Sequence, residues 1–203
     1  MIIRLEEEKD YFEVENLTRE TFWNLYRPGC FEHLVIHNLR YDEKFVSDLD
    51  YVLESDGKII GNIVYALGNL KLDDGSIKDV LIFGPVSIHP DYQKQGLGEK
   101  LISFTLMMAE ELDYPCVLIT GDSEYYKKFG FVPSSKYNIF YEGLDKSEES
   151  PFFMIKVLDE EKMEGISGIY SDPDVYNVDE SELTSFDKQF PPKKKEKREG
   201  QLV

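Results

Sequence analysis

Cysteine is scarce in this chain of 203 residues, which contains only Cys30 and Cys116. Two cysteines without a spacing pattern cannot build the disulfide framework on which many small secreted domains depend. Each is expected to be a small buried hydrophobic residue rather than a nucleophile. This usage is compatible with a reducing compartment, and we expect a cytoplasmic protein.

Long apolar runs are also missing, since no stretch approaches the roughly 20 residues that a membrane-spanning helix needs. Residues 1–10 mix acidic with apolar residues, whereas an export signal has a basic segment followed by an apolar one. We therefore expect neither membrane insertion nor export. The hydrophobic share of 41% is enough to fill the core of a globular domain.

Positive charge is in short supply: 23 Lys and Arg residues stand against 40 Asp and Glu residues, a formal net charge of −17. Residues 193–203 hold five of the cations and two of the anions, so residues 1–192 carry a net charge of −20. This balance argues against a nucleic-acid partner. It would attract cationic substrates, whereas a phosphate-bearing ligand would have to be held by local donors.

Two helices are expected in the first forty residues, after a short strand over residues 2–5. Residues 10–26 place apolar side chains near a helical period until a Pro-Gly pair stops the pattern. Residues 31–40 form a second helical pattern, in which His33 and His37 lie four apart on one face. No third ligand accompanies the two histidines, so we expect no metal site there.

The middle of the chain changes to β-rich segments. Residues 51–53, 59–67 and 80–88 are separated by turn residues, which predicts an antiparallel meander. Residues 96–112 then have apolar residues along one helical face. Residues 116–120 form a continuous apolar run, typical of a buried central strand.

Weaker patterns follow towards the C-terminus. Residues 123–129 suit a short helix, and residues 137–141 and 152–157 suit two further strands. Residues 159–190 are rich in Gly, Asp, Ser and Tyr, and we expect irregular chain there. Residues 191–203 are expected to be disordered.

The segment that indicates chemistry is the glycine-containing turn from Gln93 to Gly98, which follows a predicted strand and opens a predicted helix. Glycines let the chain adopt unusual dihedral angles, so that successive N–H groups can point at one anion. The helix N-terminus adds partial positive charge at the same place. The turn is therefore suited to binding a diphosphate.

Other nucleotide-binding turns fit less well. The P-loop ends in Gly-Lys-Ser/Thr, whereas Glu99 follows Gly98 here, and the dinucleotide fingerprint needs three glycines where only Gly96 and Gly98 are present. An ordinary helix start that uses glycine for a turn stays open as the alternative.

The spacing Gln93-x-x-Gly96-x-Gly98, after the strand residues Val86-Ser87-Ile88, resembles the acetyl-CoA-binding motif of the GNAT superfamily of N-acetyltransferases. Two downstream segments are similar to the same family: residues 116–122 to its fifth strand, and residues 125–131 to its Tyr-x-x-x-Gly-Phe segment. Residues 81–86 and 165–170 resemble a bacterial branch of the superfamily whose members are mostly uncharacterised.

The resemblance implies an α/β (α+β) fold with a mixed, mostly antiparallel central sheet flanked by helices. It covers residues 1–175, which we interpret as the acetyltransferase domain. Residues 176–190 are then an irregular C-terminal extension, and residues 191–203 a basic tail.

The resemblance also implies a cofactor site. In similar proteins the strand before the turn contributes backbone groups to the pantetheine arm of acetyl-CoA, and N–H groups of the turn bind the diphosphate. The Gly84-Pro85 pair would serve the strand distortion that frees a backbone N–H to polarise the acetyl carbonyl. The implied cofactor-binding residues are Val86, Ser87, Ile88, Gln93, Lys94, Gln95, Gly96, Leu97, Gly98 and Glu99.

For catalysis, the resemblance implies that Tyr126 donates a proton to the departing CoA sulfur, because it stands four residues before Gly130. The alternative is an aromatic residue that only packs. Many relatives use a carboxylate on the fourth strand as the base, and this chain has none between residues 80 and 88. Asp79, Asp122, Glu124 and a water chain stay open, although Asp122 also suits a helix N-cap.

The function implied is direct transfer of an acetyl group from acetyl-CoA to an amine in a ternary complex, without a metal. The net charge favours a small cationic acceptor. We expect no nucleic-acid and no membrane partner, and leave a homodimer open. Because the strand carboxylate is missing, a non-catalytic acyl-CoA-binding or regulatory module is the alternative.

Overall fold

The computed structural model describes residues 1–147 and 150–201, and the chain divides into two compact units. The first unit comprises Met1–Val64, Gly84–Ile102 and Asp174–Val203. The second comprises Tyr65–Phe83 and Ser103–Pro173. Three long elements contribute residues to both units.

Within the described residues the chain forms five α-helices and nine strands. The helices are α1 (Tyr11–Phe22), α2 (Glu32–Leu39), α3 (Leu97–Glu111), α4 (Ser123–Tyr126) and α5 (Glu180–Phe186). The strands are β1 (Ile2–Leu5), β2 (Tyr51–Ser55), β3 (Lys58–Leu72), β4 (Ile77–Ile88), β5 (Cys116–Thr120), β6 (Val132–Pro133), β7 (Ile139–Tyr141), β8 (Phe153–Val157) and β9 (Gly168–Ser171).

In the first unit, β1, β2 and the start of β3 form an antiparallel meander. Ile3 pairs with Leu53 and Val52 pairs with Asn62. The β2–β3 hairpin turns at Asp56 and Gly57, which have φ angles of 53° and 75°. Two consecutive positive φ angles are the requirement of a type I′ hairpin turn.

Helices α1 and α2 belong to the same unit and bury apolar residues at helical spacing. Val14 and Leu17 of α1 are buried, as are Ile36 and Leu39 of α2. The predicted positions of both helices are therefore confirmed to within a few residues.

The C-terminal segment of the first unit differs from the expectation of irregular and disordered chain. Residues 180–186 form α5, which begins at Asp179, whose carboxylate accepts hydrogen bonds from the N–H groups of Ser181 and Glu182. Leu183, Phe186 and Phe190 are buried in a cluster with Leu34 of α2. Most residues of the segment are polar, so the sequence did not indicate that these three apolar residues are buried.

Residues 191–201 are also placed against the first unit. The carbonyl of Lys194 accepts hydrogen bonds from the Trp23 Nε1 (3.0 Å) and the Asn24 Nδ2 (3.0 Å). Asn24 Oδ1 in turn accepts from the N–H of Glu196 at 3.0 Å. Lys193 Nζ lies 2.7 Å from a Glu20 carboxylate oxygen. The basic segment therefore forms an ion pair with the acidic body. Residues 202–203 lie outside the described residues.

A buried charged cluster ties the same segment to α1 and α2. Asp187 Oδ1 lies 2.8 Å from Arg19 Nε and 3.1 Å from His33 Nε2. Arg19 and His33 are both buried, and the Sγ of buried Cys30 lies 3.5 Å from His33 Nδ1. Burial lowers the pKa of His33 to about 4. It also raises the pKa of Cys30, so that the thiol stays protonated.

In the second unit, β5 is a central strand. It pairs in parallel with β4 at Leu81 and Ile82 and antiparallel with β8 along its whole length. Strand β6 pairs with β8, and β9 pairs antiparallel with β3 and parallel with β7. The mixed, mostly antiparallel sheet with flanking helices confirms the predicted fold class.

Strand β9 lies in the region expected to be irregular. Its first residue, Gly168, approaches β3 so closely that an added Cβ would lie 2.1 Å from the Lys71 carbonyl oxygen. The glycines that make this stretch look irregular in sequence therefore permit the close strand pairing.

One further expectation concerns the cysteines. Cys30 and Cys116 are both free and buried, as expected. Across residues 1–147 and 150–201, no helix has the length and apolar character needed to cross a membrane. Within the same residues, no group of three or more His, Cys, Asp or Glu side chains is positioned to hold a metal ion.

Candidate active site

The glycine-containing turn has the backbone shape that the sequence predicts. Lys94 and Gly96 have positive φ angles of 60° and 76°, and α3 begins at Leu97. Because the first N–H groups of an α-helix have no acceptor within the helix, those of Leu97 and Gly98 are directed outwards along its axis. A Cβ added at Gly96 would meet no atom within 4 Å. The turn therefore borders open space.

Side chains fix this turn in place. Leu97 is buried in a cluster with Leu53 and Ile60, against which Ile88 and Tyr92 also pack. The first residue of the helix is thus anchored in the core of the first unit. The neighbouring residues 93–96 are all exposed, as a ligand-binding turn requires.

The end of β4 lies beside the same turn and beside α1. Ser87 is fully buried and its hydroxyl donates to Thr18 Oγ1 at 3.0 Å. The carbonyl of Ile88 accepts from Gln93 Nε2 at 3.0 Å and from Thr21 Oγ1 at 3.2 Å. The Ile88 carbonyl therefore already has two donors.

Local charge at the turn is balanced. Lys94 and Lys100 are offset by Asp91 and Glu99, and all four residues are exposed. Backbone N–H groups and the helix dipole therefore supply most of the attraction for an anion here.

A contact that the sequence did not indicate occurs at Gly84 in β4. A Cβ at this position would lie 2.7 Å from Val64 Cγ1 and 3.3 Å from the hydroxyl oxygen of Tyr176. Tyr176 follows the fold's last strand in a short 3₁₀ turn, Asp174–Tyr176. No motif marks this tyrosine, because its neighbours in sequence have the composition of a loop.

Tyr126 lies at the end of α4 in the second unit. Its ring lies against Gly121, where an added Cβ would be 2.7 Å from Tyr126 Cε2. Phe83 and Phe131 pack around it, with ring centroids at 6.2 Å and 5.9 Å. The aromatic neighbours fix the position of the ring, and the side chain is only half-buried.

The three carboxylates proposed as alternative bases have different surroundings. Asp122 caps α4, because its carboxylate accepts from the N–H of Glu124 at 2.9 Å. Glu124 forms an ion pair with Lys127 on the surface. Asp79 is exposed near the start of β4. The N-cap prediction for Asp122 is therefore confirmed.

Another polar cluster, in the second unit, was not indicated by any pattern in the sequence. Asp172 accepts hydrogen bonds from the hydroxyls of Tyr141 and of the fully buried Tyr170. Burial, together with the neighbouring Asp172 carboxylate, raises the pKa of Tyr141. Tyr141 is 31 positions from Asp172 and approaches it because β9 pairs with β7, whereas Tyr170 is two positions away.

The predicted cofactor residues thus share one unit, from Val86 in β4 to Glu99 in α3. Tyr126 belongs to the other unit. Tyr176 belongs to the same unit as the predicted cofactor residues.

Comparison with known proteins shows a partial match to one family model and similarity to two curated proteins. Residues 48–133 match the model of the acetyltransferase (GNAT) domain. The N-acetyltransferase YhbS of Escherichia coli K12 is 23% identical over 171 residues, which cover 83% of this chain and 94% of YhbS. Another N-acetyltransferase of that strain, YjhQ, is 26% identical over 100 residues, covering 49% of this chain and 54% of YjhQ.

Solved structures have the same fold. The structure of Escherichia coli YhbS in complex with CoA has a TM-score of 0.74 at 21% identity and covers 87% of this chain and 92% of that one. A GNAT acetyltransferase from Brucella melitensis in complex with acetyl-CoA has a TM-score of 0.68 at 22% identity, covering 86% and 97%. The chain thus has the fold of these two structures, contains a segment that matches the acetyltransferase (GNAT) domain model, and is similar in sequence to proteins named N-acetyltransferases.

Proposed function

We propose that this protein transfers the acetyl group of acetyl-CoA to a primary amine of a small cationic acceptor. The observation that carries the proposal is the exposed turn with positive φ at Lys94 and Gly96, which leads directly into α3. Relatives of the same fold are described in complex with CoA and with acetyl-CoA.

In this proposal the turn from Gln93 to Glu99 binds the diphosphate of CoA through backbone N–H groups. The backbone of Val86, Ser87 and Ile88 lines the pantetheine arm. A diphosphate at a helix N-terminus needs few cationic side chains, which fits the balanced charge of this segment.

The reaction is aminolysis of a thioester. An alkylamine with a pKa near 10.4 is mostly protonated at neutral pH, so it must lose a proton before it attacks. Water-mediated removal is favoured over Asp122 or Glu124, because one of these carboxylates caps α4 and the other pairs with Lys127. We assign to Tyr126 the donation of a proton to the CoA thiolate as it leaves.

The acceptor class follows from electrostatics. A net charge of −20 over residues 1–192 creates a field that concentrates cations and repels sugar phosphates or nucleic acid. A polyamine or another small amine fits that field.

The test is to incubate the protein with acetyl-CoA and a panel of cationic, neutral and anionic amines. The rate of release of the CoA thiol is measured for each amine. We expect the highest turnover with a cationic amine and a fall in rate with added salt, because salt screens the field. An anionic best substrate would overturn the acceptor class. Binding of acetyl-CoA without turnover on any amine would instead favour a non-catalytic acyl-CoA-binding module.

A further inference from the structure

Helix α1 holds the end of β4 through two threonine hydroxyls that lie three residues apart on one face of the helix. Ser87 Oγ donates to Thr18 Oγ1 at 3.0 Å, and both side chains are fully buried. Thr21 Oγ1 donates to the carbonyl of Ile88 at 3.2 Å. Both contacts are made to residues of the proposed pantetheine-binding segment.

The Ile88 carbonyl joins the two parts of the proposed cofactor site. Besides the bond from Thr21 Oγ1, it accepts a hydrogen bond at 3.0 Å from Nε2 of Gln93, the first residue of the turn. The next N–H along the chain, that of His89, donates to the Ile60 carbonyl in β3 at 2.9 Å. Helix α1, strand β3 and the turn therefore all hold the end of β4.

The Thr21 hydroxyl also has an ordinary helical contact, since its Oγ1 lies 2.9 Å from the carbonyl of Leu17, four residues earlier. Threonines inside helices often make this bond without any further role. Because one hydroxyl carries a single proton, the two carbonyls share it. The contact with Ile88 is the part that the helix itself does not explain, because it connects residues 67 positions apart.

We propose that Thr21 is a positioning residue for acetyl-CoA. By holding the Ile88 carbonyl together with Gln93, it fixes the pantetheine-binding segment of β4 relative to the diphosphate-binding turn. The inference rests on the proposed function, which assigns these two segments to two parts of one ligand. A ligand that spans both segments binds better when their arrangement is already fixed, because less conformational freedom is lost on binding. A ligand that occupies the turn alone does not need that arrangement.

The experiment titrates two ligands into wild type and three variants by calorimetry. The ligands are acetyl-CoA and 3′-phospho-ADP, the nucleotide portion of CoA, which has the diphosphate but no pantetheine arm. The variants are Thr21→Val, which keeps the shape of the side chain without its hydroxyl, Thr21→Ser, which keeps the hydroxyl, and Thr184→Val. Thr184 is the matched control, because its hydroxyl also donates to a carbonyl four residues earlier, that of Glu180 at 2.8 Å, but it lies in α5.

We expect Thr21→Val to weaken acetyl-CoA binding by roughly three- to tenfold, since one hydrogen bond that orders the spanning site is lost. Its binding of 3′-phospho-ADP should stay the same. Thr21→Ser and Thr184→Val should bind both ligands like wild type. Thermal melts of all four proteins show whether each variant is folded, so that a general loss of stability is not mistaken for a loss of positioning.

Several outcomes would contradict the inference, and they are distinguishable. Equal acetyl-CoA affinity of Thr21→Val and wild type would leave Thr21 with its helical contact alone. An equal loss for both ligands would mean that Thr21 acts on the turn or on folding. A loss in Thr21→Ser as large as that in Thr21→Val would assign the effect to packing rather than to the hydroxyl. If wild type itself does not bind acetyl-CoA, the proposed function fails and the inference fails with it.

Discussion

At the scale of single residues, the turn before α3 makes the sharpest demand on residue type. Gly96 has a φ angle of 76° and faces open space, so a side chain there would be strained and would also project from the proposed diphosphate site. Lys94 has a positive φ as well, although it is not glycine. A strained non-glycine residue in an exposed turn is typical of a functional site.

Replacing Gly96 by valine should abolish acetyl-CoA binding while the protein stays folded. The β-branched side chain disfavours positive φ, at a cost of about 1–2 kcal/mol, and it covers the N–H groups. Gly57→Val is the matched control, because Gly57 also has a positive φ of 75° and open space around it but lies in the β2–β3 hairpin. Titration and thermal melts check both variants; equal ligand affinity in the two would contradict the assignment of the turn.

Tyr126 is expected to matter through its hydroxyl. Tyr126→Phe keeps the ring contacts with Phe83 and Phe131, so stability and acetyl-CoA affinity should change little. Loss of the acid should lower kcat by roughly 10² to 10⁴. Tyr125→Phe is the control, because the neighbouring ring packs under Lys128, with the ammonium 4.0 Å from its centroid. Similar kcat values for the two variants would reduce Tyr126 to a packing role.

His33 predicts a pH dependence of stability. Its pKa is about 4 in the fold and 6.5 for an unperturbed histidine, so between these values the unfolded chain binds a proton that the folded chain does not. The contribution of neutral His33 to the free energy of unfolding should therefore be fully present above pH 6.5. The free energy of unfolding should fall by about 3 kcal/mol as the pH drops to 4. Urea unfolding across this range checks it. His33→Gln should show a shallower slope, and an unchanged slope would contradict the assignment.

The turn was predictable residue by residue because local backbone geometry sets its composition: glycines, a preceding strand and a following helix lie within a dozen positions. The approach of Tyr176 to Gly84 was not, because the two residues are 92 positions apart in the sequence. Pairings of that range leave no periodicity in a single sequence. The hydrogen bond between Tyr141 and Asp172, which are 31 positions apart, was not predicted for the same reason.

At the scale of elements, the C-terminal segment packs against the first two helices. Helix α5 and residues 187–201 cover α1 and α2, and the Asp187 carboxylate pairs with the buried guanidinium of Arg19 and lies 3.1 Å from the buried ring of His33. A buried charge left without its partner is costly, so this carboxylate should be the main polar anchor of the segment.

Asp187→Ala should lower the free energy of unfolding by about 3–5 kcal/mol, because Arg19 stays buried without its counter-charge. The control is Glu180→Ala in the same segment, whose ion pair with Arg27 is largely exposed and should matter little. Chemical denaturation measures both. Equal effects of the two substitutions would show that the segment is only loosely held.

Elements with strong periodicity were predicted well. Strand β5 and strand β1 have the predicted bounds, and α1, α2 and α3 lie within a few residues of the predicted helices. Strand β9 and α5 were missed, because glycine and acidic residues dominate their surroundings and tertiary contacts override local composition. In the basic tail, which was predicted to be disordered, Lys193 forms an ion pair with Glu20 of α1.

At the scale of the whole molecule, the negative charge and the anion-binding turn have separate roles. The charge of the body would draw in cationic acceptors, whereas CoA phosphates would be held by backbone donors that the net charge does not cancel. Both features are needed for an enzyme that binds an anionic donor and a cationic acceptor. The net charge alone would repel a phosphate-bearing ligand, whereas the backbone N–H groups of the turn would bind one.

The central claim, that the turn before α3 binds acetyl-CoA, is tested most directly by calorimetric titration of acetyl-CoA into the folded wild-type chain. We expect saturable binding at one site, accompanied by stabilisation of about 2.7 kcal/mol at a hundredfold excess of ligand over its dissociation constant. Folded protein that gives no binding heat and no shift in melting temperature up to millimolar acetyl-CoA would contradict the account.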